Sequence, residues 1–280
     1  MQVINTRKAL ISILSTFGKD QKLGLVPTMG ALHRGHMALV ERALLENERV
    51  VVTIFVNPTQ FNNKNDLKKY PKTLEADVRL ISQVSEKIIV FAPTISEMYN
   101  NDVNAKTYQF DGLEKVMEGA FREGHFNGVG TIVESLFRLV EPDRAYFGEK
   151  DYQQLLIIKK LVHKLAIPIE IVGCPIIREA NGLALSSRNE RLPKTLREDA
   201  GFIYATLKTA KKHFGTKSAD KVRQWVTQQF NKRSGFKLEY IEITDAETLL
   251  PLKRKQKNKK YRAFVAVYAG EVRLIDNIAL

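Results

Sequence analysis

Two hydrophobic rhythms take turns along the first part of the chain. Residues 23–26 form a short apolar run closed by Pro27, small residues make a turn, and Met37, Val40, Leu44 and Leu45 recur at the spacing of a helix face. Residues 49–56 are a continuous run rich in β-branched side chains, so 23–56 has the length and order of one βαβ unit with a right-handed crossover. The alternation continues with a helix near 73–84, a strand at 88–91, a helix at 131–140, a strand at 145–147, a helix at about 152–165 and a strand at 169–172. Strands separated by helices predict an α/β fold: a Rossmann-like, mostly parallel sheet with helices on both faces and its ligand at the carboxyl ends of the strands. After about residue 175 the rhythm changes to two helices, 194–214 and 219–230, followed by strands at 238–243, 264–268 and 272–274. That order predicts a smaller C-terminal α+β domain, with Trp225, Leu238, Tyr240 and Ile241 in its core, and divides the chain into 1–175 and 176–280.

Composition adds bulk and charge to that frame. With 44% hydrophobic and 27% charged residues, the chain has material for a substantial core and does not read as disordered. No apolar run approaches the roughly 18 residues that a membrane span needs, and residues 2–5 carry no charged-then-apolar leader, so a cytoplasmic protein is expected. Cys174 is the sole cysteine, which excludes an intramolecular disulfide and a cysteine-held zinc. At the end of an apolar segment it is expected to be a small buried side chain rather than a nucleophile. The net charge of +13 suits a polyanion, whether nucleic acid, an acidic surface or ATP, and does not choose among them. The densest basic run, Lys253, Arg254, Lys255, Lys257, Lys259, Lys260 and Arg262, is interrupted by one aromatic, Tyr261, and reads as a solvated hairpin loop in preference to an RNA-binding arm.

Candidate chemistry concentrates between the first strand and the first helix, in Pro27-Thr28-Met29-Gly30-Ala31-Leu32-His33-Arg34-Gly35-His36. Gly30 and Gly35 permit a tight turn and close approach to a bound group, and a helix beginning near His36 turns N–H groups and the positive end of its dipole outward. Two histidines three apart add directional donors suited to a triphosphate and to the charge that builds on leaving pyrophosphate. A metal pair or a chance surface pairing is the competing reading; the place between strand and helix, with two glycines, favours phosphate.

This His-x-Gly-His element resembles the nucleotide-binding signature of the adenylyl-transfer superfamily that includes class I aminoacyl-tRNA synthetases and small nucleotidyltransferases. Three further blocks narrow the likeness: Thr53-Ile54-Phe55-Val56-Asn57-Pro58-Thr59-Gln60-Phe61, Phe147-Gly148-Glu149-Lys150-Asp151-Tyr152-Gln153-Gln154, and Gly182-Leu183-Ala184-Leu185-Ser186-Ser187-Arg188-Asn189. In this order the blocks resemble the pantothenate synthetase (pantoate–β-alanine ligase) family. The likeness runs on through residues 66–67, 70–77 and 124–126 and the ending Arg273-Leu274-Ile275-Asp276-Asn277.

The resemblance implies that ATP and pantoate give pantoyl adenylate and pyrophosphate, and that β-alanine then attacks to release pantothenate and AMP. It implies Mg2+ with the nucleotide, a homodimer, no nucleic-acid or membrane partner, and a C-terminal domain that closes over a nucleotide- and pantoate-binding first domain. It assigns ATP to Met29, Gly30, Ala31, Leu32, His33, Arg34, Gly35 and His36, to Gly148, Glu149, Lys150 and Asp151, and to Ile177, Leu185, Ser186, Ser187 and Arg188. Pantoate falls to Gln60 and Gln154, with Asn57 shaping that pocket, and β-alanine to Gln60. His33, His36, Lys150 and Arg188 are its catalytic residues, and no metal ligand is named.

These residue types suit that chemistry in their own right. A carboxylate attacking a phosphoryl group is repelled by its charge, so neutralisation and alignment matter more than a strong base, and Lys150 and Arg188 supply the charge. Gln60 and Gln154 offer donors and an acceptor without quenching the nucleophile. One departure stands in Arg122-Glu123-Gly124-His125-Phe126, where the family pattern more usually has proline at Glu123; Arg122 and His125 are therefore left out of the site, and His163 and His213 are expected to be solvated. A tRNA-binding fragment predicts a lysine-centred second signature and a longer tail, neither of which is present. A nucleotidyltransferase shares the first block but leaves 57–60 and 150–154 unexplained, and a non-catalytic nucleotide sensor has no need of both glutamines.

Overall fold

The computed structural model describes residues 1–18, 20–100 and 102–280. It divides into two compact units, one of Met1–Glu149 with Gln154–Pro175 and one of Lys150–Gln153 with Ile176–Leu280.

The first unit holds β1 (Gln2–Ile4), β2 (Leu23–Thr28), β3 (Arg49–Ile54), β4 (Ile89–Phe91), β5 (Arg144–Gly148) and β6 (Glu170–Cys174), in the order β1-β4-β3-β2-β5-β6. All of these pairings are parallel. Parallel neighbours require long crossovers. Here they contain α1 (Arg7–Leu14), α2 (Arg34–Glu46), α3 (Lys64–Lys69), α4 (Leu74–Ser82), α5 (Ile95–Tyr99), α6 (Glu118–Phe121), α7 (His125–Val140) and α8 (Tyr152–Lys164). From β2 the chain adds β3 and β4 on one side and β5 and β6 on the other, so the strand order reverses between β2 and β5. Sheets of this kind form their ligand crevice at the reversal, outside the carboxyl ends of the strands. Those ends are Thr28 and Gly148.

Alternation along the strands builds the two faces. Val26, Val50, Val52, Val90 and Tyr146 join Met37, Val40 and Ala43 of α2 and Ile81 of α4 in one cluster. Leu25, Val51 and Ala145, buried as deeply, point the other way. α7 contributes nothing to that cluster and packs on β2 and α1, which covers the second face.

α7 begins at His125 rather than near 131. Gly128 and Gly130 sit inside it where neighbours press against them: a Cβ on Gly130 would stand 2.9 Å from the Tyr108 ring. The segment carrying Tyr108 is stitched to α7 through Glu134, which accepts from Tyr108 Oη at 2.6 Å, Lys106 Nζ at 3.0 Å and Arg138 Nε at 2.7 Å. Burial works to raise the Glu134 carboxyl, but these three donors outweigh it and hold it at about 2, against an ordinary 4.5. A depressed carboxyl stabilises the fold above the unfolded-state value, and that contribution fades as pH falls from about 4.5 toward 2; its full size is on the order of 3 kcal/mol. Glu134→Gln should therefore lower the urea midpoint clearly at pH 7, with the gap to the parent closing as the pH is taken below 4.5. A gap independent of pH would count against the charge as its cause.

In the second unit, β7 (Phe236–Asp245), β8 (Tyr261–Ala269) and β9 (Val272–Ala279) form an antiparallel sheet in sequence order. Ile203, Leu207, Val222, Val226 and Phe230 from the helices α10 (Gly201–Thr216) and α11 (Ala219–Asn231) pack with Ile241, Ile243, Val265, Val267 and Leu274. The single helix expected at 194–214 is two, because α9 (Lys194–Asp199) stops before α10 begins. Asn181 Nδ2 donates to the carbonyls of Arg197 and Glu198 at 2.8 and 3.0 Å, and Gly201 lies so close to the Asn181 carbonyl that a Cβ would be 2.2 Å from it. The basic residues 253–260 lie exposed in the connection between β7 and β8. His163 is exposed, whereas His213 is half-buried with its ring 4.6 Å from Trp225. Among the described residues, no helix is long and apolar enough to cross a membrane.

Candidate active site

At the end of β2, Thr28 Oγ1 donates to the Thr53 carbonyl at 2.6 Å and accepts the Gly30 N–H at 3.2 Å, which starts the turn. Gly30 has φ +80°, and a Cβ there would meet Asp77 and Ile54 at 3.0 Å, so glycine is needed on both counts. Ala31, also in the left-handed region at φ 50°, is held there by Asp77: Oδ2 accepts the Ala31 N–H at 3.0 Å and Oδ1 the Leu32 N–H at 2.7 Å. Asp77 is itself buried at the start of α4 and bonded by Thr73 Oγ1. It stood within one of the resembling segments with no role attached, and nothing in the sequence couples it to a turn some forty-five residues earlier.

The helix after this turn starts at Arg34, with His33 as its N-cap. The ring of His33 takes up one of the first-turn donors itself: Nδ1 accepts the Gly35 N–H at 3.1 Å, while His36 Nδ1 accepts the His33 N–H at 3.3 Å. A neutral imidazole that accepts at Nδ1 carries its proton on Nε2. Both rings, 4.1 Å apart between centroids and tilted by 35°, are thereby set as Nε2–H donors. The donors expected from the helix backbone are in part transferred to two imidazoles.

Asn57 precedes, and Gln60 ends, the 3-10 turn Pro58–Gln60 that follows β3. Asn57, 1% exposed, donates from Nδ2 to Gln60 Oε1 at 3.1 Å and to the Gly128 carbonyl at 3.0 Å, and its Oδ1 accepts from Tyr99 and Thr59. These bonds fix which end of the Gln60 amide is which, leaving its NH2 beside Met29 Sδ at 2.9 Å, a weak acceptor. Arg122 and His125, set aside in the sequence, prove to support this turn. Arg122 lies 3.2 Å from His125 Nε2, and His125 Nδ1 donates to the Gln60 carbonyl at 2.9 Å. Only the fold reveals that link, across sixty-five positions. Gln154 lies half-buried on α8; among the described residues none hydrogen-bonds its side chain, so no bond joins it to Gln60.

In the second unit, Lys150 Nζ is 3.5 Å from Asp151 Oδ2. Ile177 and Leu185 face each other across a short antiparallel turn, with the Leu185 N–H on the Ile177 carbonyl at 3.0 Å. Ser186 then caps the 3-10 turn Ser187–Arg191, its Oγ accepting the Arg188 N–H at 3.2 Å. The buried Asn189 braces this loop on Glu179 and the Ala184 carbonyl. The structure thus joins Met29 to Gln60, His33 to His36, Asn57 to Gln60, Lys150 to Asp151, and Ser186 to Arg188. Gly148 and Glu149 close β5 and open the turn before α8.

Cys174 is buried, and burial pushes its thiol up to about 11, the reverse of what a nucleophile requires. Among the described residues there is no cluster of three acidic, histidine or cysteine side chains that would hold a metal ion.

This chain is similar throughout its length to known proteins. It is 59% identical over 268 residues to a pantothenate synthetase of Flavobacterium psychrophilum, covering 95% of each chain. It is 53% identical to one of Christiangramia forsetii, over 100% of this chain and 99% of the other. A solved pantothenate synthetase of Thermus thermophilus superposes with a TM-score of 0.91 at 41% identity, covering 99% of both chains. A pantoate-beta-alanine ligase of Francisella tularensis, solved with beta-gamma ATP and beta-alanine, superposes with a TM-score of 0.82 at 36% identity, over 100% of this chain and 97% of that one. The family model for pantoate-beta-alanine ligase matches residues 2–279, and with it the chain belongs to that family.

Proposed function

We propose that the protein catalyses the ATP-dependent condensation of pantoate with β-alanine through an enzyme-bound pantoyl adenylate. The observation that carries the reading is the pair of imidazoles at the strand-order reversal, each with Nδ1 engaged by a backbone N–H and Nε2–H set to donate. In the first step a pantoate carboxylate oxygen attacks the α-phosphorus of ATP and the bond to pyrophosphate breaks. Negative charge accumulates on the leaving oxygens, where neutral N–H donors and cations stabilise it, and the carboxylate nucleophile, already deprotonated, needs no base. His33 and His36 supply the donors; Lys150 and Arg188 supply the charge, with the Gly30–Leu32 backbone, Ser186 and Ser187 as further phosphate contacts, and Ile177 and Leu185 beside the base.

Gln60 and Gln154 hold pantoate. The Gln60 NH2, turned toward a thioether that a carboxylate or hydroxyl oxygen outbids, is ready to donate to it. In the second step the β-alanine amine attacks the acyl carbon, AMP leaves as a phosphate monoester, and the ammonium proton goes to solvent. Mg2+ enters as the ATP complex: among the described residues the donor set has no carboxylate cage, and Mg2+ on a nucleotide keeps much of its water and needs few protein ligands. A homodimer is part of the same reading and is checked by sedimentation.

The direct test supplies ATP, Mg2+ and pantoate and follows pyrophosphate, then adds β-alanine and follows AMP and pantothenate. Pantoate-dependent pyrophosphate without β-alanine is the expected first result. Release that ignores pantoate but responds to tRNA or to a nucleotide ester would sink the proposal.

A further inference from the structure

We propose that Asn277 is a positioning residue for Lys150, holding the backbone from which the lysine side chain projects; this rests on the role given to Lys150 above. Residues 150–153 follow β5 of the first unit in sequence and run into α8, yet they pack with the second unit. Three contacts account for this. Asn277 Nδ2 donates to the Lys150 carbonyl at 2.9 Å. The Arg262 guanidinium lies 3.9 Å over the Tyr152 ring, and that ring is 6.0 Å from Phe264.

The amide of Asn277 is constrained from both ends. It is 2% exposed, and Arg262 Nη1 donates to its Oδ1, which turns Nδ2 toward Lys150. Its own N–H bonds to Asp276 Oδ1 at 2.7 Å. Asp276 in turn holds Arg178 in a bidentate pair at 2.6 and 2.9 Å, with the guanidinium 3.6 Å over Tyr204. A buried amide with both ends used strongly favours one arrangement over a half-satisfied one. Lysine is a compact charge on a flexible four-carbon stem, so its reach to a transferring phosphoryl group depends on where its Cα is held. Asn277 sets that origin without needing to touch the nucleotide.

The inference separates from a merely structural role through its dependence on Lys150. Asn277→Ala should lower kcat for pantoate-dependent pyrophosphate release about ten-fold, with KM for ATP and pantoate within about two-fold of the parent. In a Lys150→Ala background, read by single turnover with excess enzyme, the same change should cost less than about two-fold, because the group it places is gone. Asn277→Asp keeps the size and the acceptor for Arg262, but replaces the donor with an oxygen that the Lys150 carbonyl repels and adds a negative charge beside Asp276, so it should show at least the same coupled loss and decides the matter where the alanine variant does not fold. A ten-fold loss that persists without Lys150, or an unchanged kcat in a protein of lowered melting temperature, overturns the inference. Parent-rate pyrophosphate release by Lys150→Ala alone overturns instead the role of Lys150, a different failure with a different signature.

Discussion

Lys150→Ala is expected to slow pantoyl-adenylate formation by about a thousand-fold while changing pantoate affinity by less than about three-fold. The asymmetry follows from what the ammonium does. In the proposed function, pantoate in its ground state is held by neutral amides, whereas negative charge on the leaving pyrophosphate builds only as the bond to phosphorus breaks. A cation aimed at that developing charge lowers the barrier and does little for the resting complex. Lys150 is only partly exposed, its side chain at 19%, and its carboxylate neighbour Asp151 stands 3.5 Å away, a separation long enough for a phosphate oxygen to compete. Pyrophosphate release under single-turnover conditions, set beside pantoate binding by calorimetry, reads both quantities. Equal losses in the two would show that Lys150 binds the acid rather than activating the phosphate.

The second large effect lies in a residue with no side chain. A Cβ on Gly128 would be 2.3 Å from the Thr59 carbonyl oxygen and 2.5 Å from the Gln60 nitrogen, backbone atoms that cannot rotate away. Either α7 or the 58–60 turn must shift, and Gly128→Ala should cost about 3 kcal/mol of stability as overpacking. The same shift breaks the bond from Asn57 to the Gly128 carbonyl and misaims Gln60, so KM for pantoate should rise at least about ten-fold. Gly215→Ala in α10 supplies the contrast: open space surrounds that position, and alanine there should be neutral or slightly stabilising. Urea denaturation with steady-state kinetics checks the pair; a Gly128→Ala protein with parental midpoint and KM would mean that the close approach does not shape the pocket.

That glycine also marks the limit of what the sequence discloses. The rhythm of residues 23–56 made the first βαβ unit legible, because buried parallel strands are continuous apolar runs and α2 shows one apolar face. The turn chemistry of residues 27–36 was legible for a similar reason: glycine and histidine between a strand and a helix imply a local geometry. β1 and α1 went unread, since three strand residues and a short exposed helix carry too little pattern. The first turns of α7, 125–130, went unread; they hold two glycines, and a sequence does not say whether a glycine ends a helix or admits a neighbour. Asp77 under the Ala31–Leu32 turn, His125 under Gln60 and Asn277 under Lys150 are tertiary bonds between distant positions, and no spacing rule reaches them.

The buried sole cysteine has a practical consequence. With no second thiol in the chain and its own thiolate disfavoured by burial at the end of β6, Cys174 neither crosslinks the molecule internally nor reacts readily while the first unit stays shut. Its rate of labelling by a thiol reagent therefore counts openings of that unit, a built-in clock for breathing of the native state that requires no engineered probe.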